Sequence, residues 1–96
     1  MQLNRKLTKL LKGRRIQSES GDPGAVLIGF EDGSTLKLKV AGQATVSVDA
    51  KVKAVHESGE EFRVDLEGGP PVLVRLADPG SSVALRDKNG TVEYLG

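Results

Sequence analysis

The sequence of 96 residues has no cysteine, no tryptophan, a single histidine and only three residues among Phe, Trp and Tyr. Without cysteine there is no disulfide framework and no thiolate to bind a metal, so we expect an intracellular protein located in the cytoplasm. One histidine does not suggest a zinc site of nitrogen and sulfur ligands. The chain lacks the run of about 18 apolar residues that a membrane span requires. Since Lys9 and Lys12 flank the leucine pair near the N-terminus, no signal peptide is expected either.

The residue types that catalysis uses are not grouped in the sequence. His56 is the only histidine, and a lone histidine in a strand pattern is more often a hydrogen-bonded structural residue. The acidic pairs Glu31–Asp32 and Glu60–Glu61 lie at turns, where carboxylates bind backbone N–H groups and water. No glycine-rich phosphate loop opens a helix. We therefore expect no catalytic residues, no metal site and no cofactor, and the protein is not predicted to be an enzyme.

The most informative stretch runs from Val26 to Val40 and has the pattern of a complete β-hairpin. Apolar residues recur at every second position before and after Asp32–Gly33, which places them on one face of each strand. Asp-Gly is a turn signal because glycine accepts positive φ angles and aspartate bonds to its own backbone.

A second copy of this pattern runs from Phe62 to Leu76, at an offset of 36 residues. Positions that are apolar in both copies are predicted to form the core, whereas outward positions vary in chemistry, as a solvated sheet face does. The predicted core has these members: Val26, Ile28, Phe30, Leu36, Leu38, Val40, Phe62, Val64, Leu66, Val72, Val74 and Leu76.

Shorter strand patterns flank each hairpin, which gives a first repeat over residues 14–48 and a second over residues 51–86. For the first strand of each repeat the predicted offset is 38. This offset matches Ile16 with Ala54, because the second turn is shorter than the predicted loop Ser20–Gly24.

The remaining strands are predicted over residues 45–48 and 82–86, and a closing strand over 91–95 follows the turn signal Asn89–Gly90. Pro70–Pro71 predicts an exposed edge or a wider loop at the second hairpin tip. The whole pattern predicts one mainly β domain of about eight to nine short antiparallel strands, built by tandem duplication. Both a small barrel and a two-sheet sandwich fit it. In either case the two repeats should pack against each other.

Residues 3–12 are predicted to form a short amphipathic helix, with Asn4 as candidate N-cap and Gly13 at the C-cap position. Its apolar side carries four leucines: Leu3, Leu7, Leu10 and Leu11. The simplest interpretation is that these leucines cover one end of the β core. A basic helix with leucines also suits an anionic membrane surface or a partner's groove, and these alternatives remain open.

The net charge is +1, but residues 1–15 hold six bases and no acid, whereas the remainder holds eight bases and thirteen acids. Such an asymmetry indicates either a partner or internal docking. Lysines at outward strand positions extend the cluster. The candidates for contact with an anion or a nucleic acid are Arg5, Lys6, Lys9, Lys12, Arg14, Arg15, Lys37 and Lys39.

Two observations oppose a nucleic-acid surface: the net charge is close to zero, and Tyr94 is the one aromatic residue expected to be exposed. Proteins that bind single strands stack bases on several exposed aromatic side chains. The alternative is a solvated face whose lysines discourage edge-to-edge strand pairing.

Three segments resemble short, uncharacterised bacterial proteins of similar size: the basic helix Leu7–Arg14, the hairpin tip Phe30–Ser34 and the ending Val83–Gly90. The resemblance covers most of the chain and implies a bacterial origin without implying a function. The strand pattern is also similar to that of SH3-like small barrels, a fold that serves many functions.

The sequence therefore predicts a small, non-enzymatic β module that binds a partner protein or has a structural role. Self-association through an open strand edge is one form of this hypothesis. Binding of nucleic acid or of an anionic surface through the basic N-terminal helix is the alternative.

Overall fold

The computed structural model describes residues 1–42, 46 and 48–96, and within them it contains one helix and nine strands. In chain order these elements are β1 (Gln2–Leu3), α1 (Arg5–Leu11), β2 (Ile16–Asp22), β3 (Ala25–Phe30), β4 (Thr35–Lys39), β5 (Lys51–Ser58), β6 (Glu61–Glu67), β7 (Val72–Arg75), β8 (Val83–Arg86) and β9 (Val92–Leu95). All strand pairs are antiparallel. The predicted fold class, mainly β with one short N-terminal helix, is confirmed.

The strands form two sheets, and the residues of their inner faces make one hydrophobic core. The strand order is β1-β5-β6-β7 in the four-stranded sheet and β2-β3-β4-β8-β9 in the five-stranded sheet. Two isolated bridges link the sheets, one between Arg15 and Lys51 and the other between Val40 and Leu76. Over the described residues the sheets are thus joined by single bridges and not by continuous ladders. The structure therefore has the two antiparallel sheets of the predicted architecture, which was a small barrel or a two-sheet sandwich.

The period-two alternation identified the core correctly. Eleven of the twelve predicted residues are buried, including Phe30 and Phe62, and Leu66 is partly buried and packs against the others. Burial of an apolar side chain of this size stabilises a fold by about 1.5–3 kcal/mol. The core therefore depends on both hairpins.

The two halves of the molecule share one strand register at a constant offset of 36 residues. Ile16 pairs with Phe30 in β2–β3, and Val52 pairs with Leu66 in β5–β6. A register shift follows Ile16 in β2 and Val52 in β5, so even the bulge is repeated. The predicted offset of 38 for these strands, which matched Ile16 with Ala54, is therefore wrong.

The error comes from the first turn. The predicted loop Ser20–Gly24 is largely strand, because β2 continues to Asp22 and leaves only Pro23–Gly24 as the turn. Gly24 has a φ of +92°, which glycine adopts without steric cost. The equivalent turn in the second half, Gly59–Glu60, also has two residues. The two turns are equal in length, so the offset between the two halves stays at 36 residues through the first strand of each repeat.

The tip of the second hairpin differs from that of the first. Pairing of β6 with β7 ends at Val64 and Val72, whereas pairing of β3 with β4 continues to Gly29 and Thr35. The two prolines Pro70–Pro71 precede β7, and proline has no N–H to donate to a ladder. The predicted wider tip is confirmed.

The helix α1 begins after Asn4, whose side-chain oxygen accepts the Leu7 N–H at 3.0 Å, so the predicted N-cap is confirmed. The helix is shorter than the predicted span 3–12. Leu3 is paired with His56 in an extended strand and is 45 % exposed, so its assignment to the buried side is wrong. Leu7 and Leu11 are fully buried in the core.

Hydrogen bonds attach α1 to the edge of β5. The Asn4 N–H donates to the Val55 carbonyl at 2.8 Å, and the Val55 N–H donates to the Thr8 hydroxyl at 2.9 Å. Gly13, with a φ of +87°, follows the helix and donates its N–H to the Val52 carbonyl. These bonds satisfy main-chain groups of β5 that would otherwise face solvent.

The predicted strand 45–48 falls partly outside the described residues, which omit 45 and 47. Of its other positions, Val46 packs against the core and Val48 lies in a turn, 49 % exposed. The predicted strands 82–86 and 91–95 are confirmed as β8 and β9, each beginning one residue later.

Candidate functional site

The structure places the predicted cationic residues in three settings. Four exposed residues lie on α1 or directly after it: Arg5, Lys6, Lys9 and Lys12. Arg14 and Arg15 precede β2 and form ion pairs within the chain. Lys37 and Lys39 lie on the outer face of β4. The eight residues therefore do not occupy a single element.

Arg14 connects the start of β2 with a hairpin turn and with β9. Its guanidinium donates to the Ser34 hydroxyl and to the Glu93 carboxylate, both at 2.9 Å. Its Nε lies 3.6 Å from the Asp32 carboxylate. Hydrogen bonds from Ser34, together with the charge of Arg14, hold the pKa of Asp32 below its usual value. With a side chain only 19 % exposed, Arg14 serves the folded structure.

Arg15 is also engaged within the chain. Its guanidinium donates to the Asp49 carbonyl at 2.7 Å, and its Nε lies 3.5 Å from the Glu31 carboxylate. Two of the six basic residues in the N-terminal region, Arg14 and Arg15, are therefore bound to acidic or carbonyl groups of the same chain.

The four cationic residues on α1 or directly after it have fewer interaction partners than Arg14 and Arg15. Among the described residues, none of the four forms an ion pair, and the Lys6 ammonium lies 5.9 Å from the centre of the Tyr94 ring, over its face. Tyr94 is partly buried, and its hydroxyl accepts a hydrogen bond from the Asn4 side chain at 2.9 Å. The exposed side of α1 is thus a positively charged surface.

The outer face of the five-stranded sheet carries a second positively charged surface, which we name the basic face. It consists of six residues: Leu27, Lys37, Lys39, Ala84, Arg86 and Leu95. Pairing of β3, β4, β8 and β9 sets four of them side by side, in the order Leu27, Lys37, Ala84 and Leu95. Leu27 and Leu95 are 41 % and 68 % exposed. Apolar side chains therefore lie directly beside a lysine on this face.

The three cations of the basic face border a shallow depression of about 430 Å³, lined also by Ala84 and Leu95. Lys37, Lys39 and Arg86 form no ion pair with any residue that the structure describes. The strand register places the acid Asp22 in the same row as Lys39, but Ala25 of β3 separates the two. The positive charge at this depression is therefore not neutralised by a neighbouring side chain.

The outer face of the four-stranded sheet occupies positions equivalent to those of the basic face. Its charged side chains, however, include acids that pair with the cations. At the offset of 36, Ala25, Leu27 and Gly29 correspond to Glu61, Arg63 and Asp65. The Arg63 Nε lies 2.9 Å from the Asp65 carboxylate. The two outer faces thus occupy equivalent positions but differ in chemistry: one is charged and internally paired, and the other is apolar with unpaired cations.

His56 lies on this neutralised face, in β5. Its Nδ1 is 2.9 Å from the Asp65 carboxylate, to which Arg63 also donates a hydrogen bond from its Nη2 at 3.5 Å. Neither the His56 Nδ1 nor the Arg63 Nε has hydrogen-bond geometry to a partner among the described residues.

Sequence reasoning did not find the contribution of β8 and β9 to the basic face. Because Val83 and Leu85 alternate as inward residues, the sequence alone predicts that Arg86 lies on the outer face. That β8 pairs with β4, however, is a matter of sheet order, which no local pattern specifies. Arg86 and Leu95 were therefore missed.

Two classes of feature are not found among the described residues. No group of three or more His, Asp or Glu side chains is placed to hold a metal ion. In the same part of the chain, no helix has the length and hydropathy to cross a membrane.

Comparison of the chain with protein-family models, with curated proteins and with solved structures found no match. The similarity to SH3-like barrels has no support from a structural neighbour and stays a prediction.

Proposed function

We propose that this protein is a non-enzymatic module that binds a partner protein through the basic face. The supporting observation is the coincidence, on one sheet face, of exposed leucines and of cations that form no ion pair with any described residue. Exposed apolar patches bordered by charged residues are typical of interaction surfaces. A partner that covers Leu27 and Leu95 and supplies carboxylates would remove apolar surface from water and pair the cations.

A protein partner is favoured over a nucleic acid by the aromatic residues. Phe30 and Phe62 are buried, and Tyr94 is partly buried and bonded to Asn4. Among the described residues this leaves no aromatic ring on the basic face on which a base could stack. Leucine side chains, by contrast, are readily covered by the apolar side chains of a protein.

The test compares two exposed leucines on opposite sheets. Leu95→Ser alters the basic face, and Leu73→Ser makes the same change on the four-stranded sheet, where Leu73 is 60 % exposed. Tagged full-length protein and both variants are used for quantitative affinity purification, after circular dichroism has shown equal folding. Loss of a buried leucine contact costs about 1.5–3 kcal/mol, or roughly tenfold or more in affinity. Specific partners should be depleted with Leu95→Ser alone. Equal retention by both variants, or depletion by Leu73→Ser, would contradict the proposal.

A second candidate function is binding of nucleic acid or an anionic surface by α1. It is supported by the exposed cations of α1 and by Lys12 directly after it, which form no ion pair with any described residue. Truncation is a poor test, because it would remove the buried residues Leu7 and Leu11. A triple variant with Arg5, Lys9 and Lys12 changed to alanine keeps the core. Anisotropy of labelled DNA and RNA over about 50–300 mM salt should show steep salt dependence that the triple variant abolishes. Absence of binding at the low-salt end would eliminate this candidate.

Self-association is a further form of the protein-binding proposal. The edge strand β2 supports it, since residues 17–22 are all exposed and β2 pairs with β3 alone among the described strands. Sedimentation at several concentrations distinguishes a dimer from a monomer.

A cytoplasmic location, a bacterial origin and tandem duplication belong to the same proposal, and the constant register offset supports the duplication.

A further inference from the structure

We propose that the ligand of the basic face is an extended acidic segment of a protein, with carboxylates at alternate residues and running along β4. This inference rests on the proposed function and specifies the partner's chemistry and its direction on the sheet. It follows from the spacing of the cations, from their neighbours and from the lack of an ion pair between them and any residue that the structure describes.

The spacing comes from the strand register. Thr35 is paired with Arg86 and Lys37 with Ala84, and Lys39 occupies the next row on the same face. Each of three successive rows therefore carries one cation. Same-face residues of a strand are separated by about 6.4–6.8 Å, since each residue advances the chain by about 3.2–3.4 Å. An extended peptide presents alternate side chains at the same spacing.

The neighbours of the cations favour glutamate over a phosphate chain. Lys37 lies between Leu27 of β3 and Ala84 of β8, so a ligand that pairs with Lys37 also lies against apolar atoms. The two methylene groups of a glutamate can cover those atoms while its carboxylate reaches the ammonium group, an arrangement that long charged side chains commonly adopt. A phosphodiester is linked on both sides to a sugar of the backbone, so its charge is not carried at the end of a flexible apolar side chain.

The surface is also accessible. Ala25 and Ala84 have small side chains, so the main chain of a ligand can approach the sheet at these two positions. On the four-stranded sheet, the charged residues Glu61 and Asp65 stand at the positions of Ala25 and Gly29. The same ligand would meet two carboxylates there, and the Arg63 guanidinium is already paired with one of them.

The probe is a fluorescein-labelled peptide of about eight residues in which glutamate and threonine alternate. A peptide of the same composition, with its glutamates and threonines in two blocks, tests the spacing at equal charge. Labelled oligothymidylate of matched charge tests the nucleic-acid alternative. Anisotropy is measured with the full chain, with the double variant Lys37→Glu, Lys39→Glu, and with a charge-matched control, Lys53→Glu, Lys88→Glu, whose residues are exposed and outside the basic face.

We expect the alternating peptide to bind at least about fivefold more tightly than the block peptide and to release with increasing salt. Binding should fall about tenfold or more in the Lys37→Glu, Lys39→Glu variant and remain within twofold in the control variant. Equal binding of the two peptides, equal loss in both variants, or tighter binding of the oligothymidylate would overturn the inference. If partner capture depends on Leu95 while no acidic peptide binds, this inference fails and the proposed function stands. If partner capture does not depend on Leu95 and no acidic peptide binds, both this inference and the proposed function fail.

Discussion

Val40 and Leu76 form an antiparallel bridge with each other although 36 residues separate them in the chain, and Arg15 and Lys51 do the same. Each of these residues therefore pairs with its own equivalent in the other half, which is the contact that a twofold relation between the halves produces. The main-chain hydrogen bonds around the bridges repeat at the same offset: Ala41 to Arg75 and Ala77 to Lys39, Ile16 to Ala50 and Val52 to Arg14.

Because the two halves share one core, we expect equivalent core residues to contribute similarly to stability. Phe30→Ala and Phe62→Ala should each lower the free energy of unfolding by about 3–5 kcal/mol, since both side chains are fully buried. Urea titration followed by circular dichroism measures this. Leu73→Ala, at an exposed position, is the control and should change stability little. A two-step transition in which one variant affects a single step would show that the halves unfold independently.

The ion pairs of Arg14 should matter for folding and not for binding. Arg14→Ala leaves the Glu93 carboxylate and the buried Ser34 hydroxyl without their cationic donor, at a cost of about 1–3 kcal/mol. Arg5→Ala removes an exposed cation without an ion pair to any described residue, and should remain within about 0.5 kcal/mol of wild type. Thermal denaturation compares the two. Equal stability of both variants would show that the Arg14 contacts are not formed in solution.

The lowered pKa of Asp32 gives a pH dependence with a definite sign. Because the folded carboxyl has a lower pKa than in the unfolded chain, where it is about 3.9, its contribution is present above that pH. It is lost as the pH falls through the folded pKa. Asp32→Asn should therefore reduce the loss of stability between about pH 5 and pH 2. Glu67→Gln, a change of an exposed acid in β6, is the control. An identical acid-unfolding curve for Asp32→Asn and wild type would refute this assignment.

Asn4 has two roles that can be separated by substitution. Its side chain accepts the Leu7 N–H as helix N-cap and donates to the Tyr94 hydroxyl. Asn4→Ala removes both contacts and should destabilise the protein by about 1–2 kcal/mol. Tyr94→Phe removes only the second contact and should cost less. A double-mutant cycle between the two positions yields the coupling energy, and a value of zero would argue against the Asn4–Tyr94 hydrogen bond.

The sequence predicted those features that depend on local patterns. Alternation identified the core, since it assigns each residue to a face irrespective of the sheet order, and the repeated apolar positions confirmed the assignment at Phe30 and Phe62. Contacts between chain segments that are distant in sequence were less predictable. Leu3 was assigned to the helix because its spacing fits, but pairing of β1 with β5 places it in a strand. Likewise, the placement of Arg86 beside β4 follows from a pairing that no local pattern encodes.

The cationic residues illustrate the same distinction. Composition showed that the N-terminal region is basic, and the structure divides that charge between ion pairs of Arg14 and Arg15 and the exposed side of α1. Whether a cation is paired depends on acids such as Glu93, far away in the chain. The sequence could therefore identify Lys37 and Lys39 as outward residues but could not show that they lack a counter-charge.

The most direct test of the basic face is a titration of isotopically labelled full-length protein with the alternating glutamate–threonine peptide, followed by amide chemical shifts. We expect the largest shifts at outer-face positions of the five-stranded sheet, namely Leu27, Lys37, Lys39, Ala84, Arg86 and Leu95, with the amides of α1 and of β7 nearly unchanged. Shifts concentrated at Arg5–Lys12 instead, or the absence of saturable shifts anywhere, would contradict the assignment of this face as the binding surface.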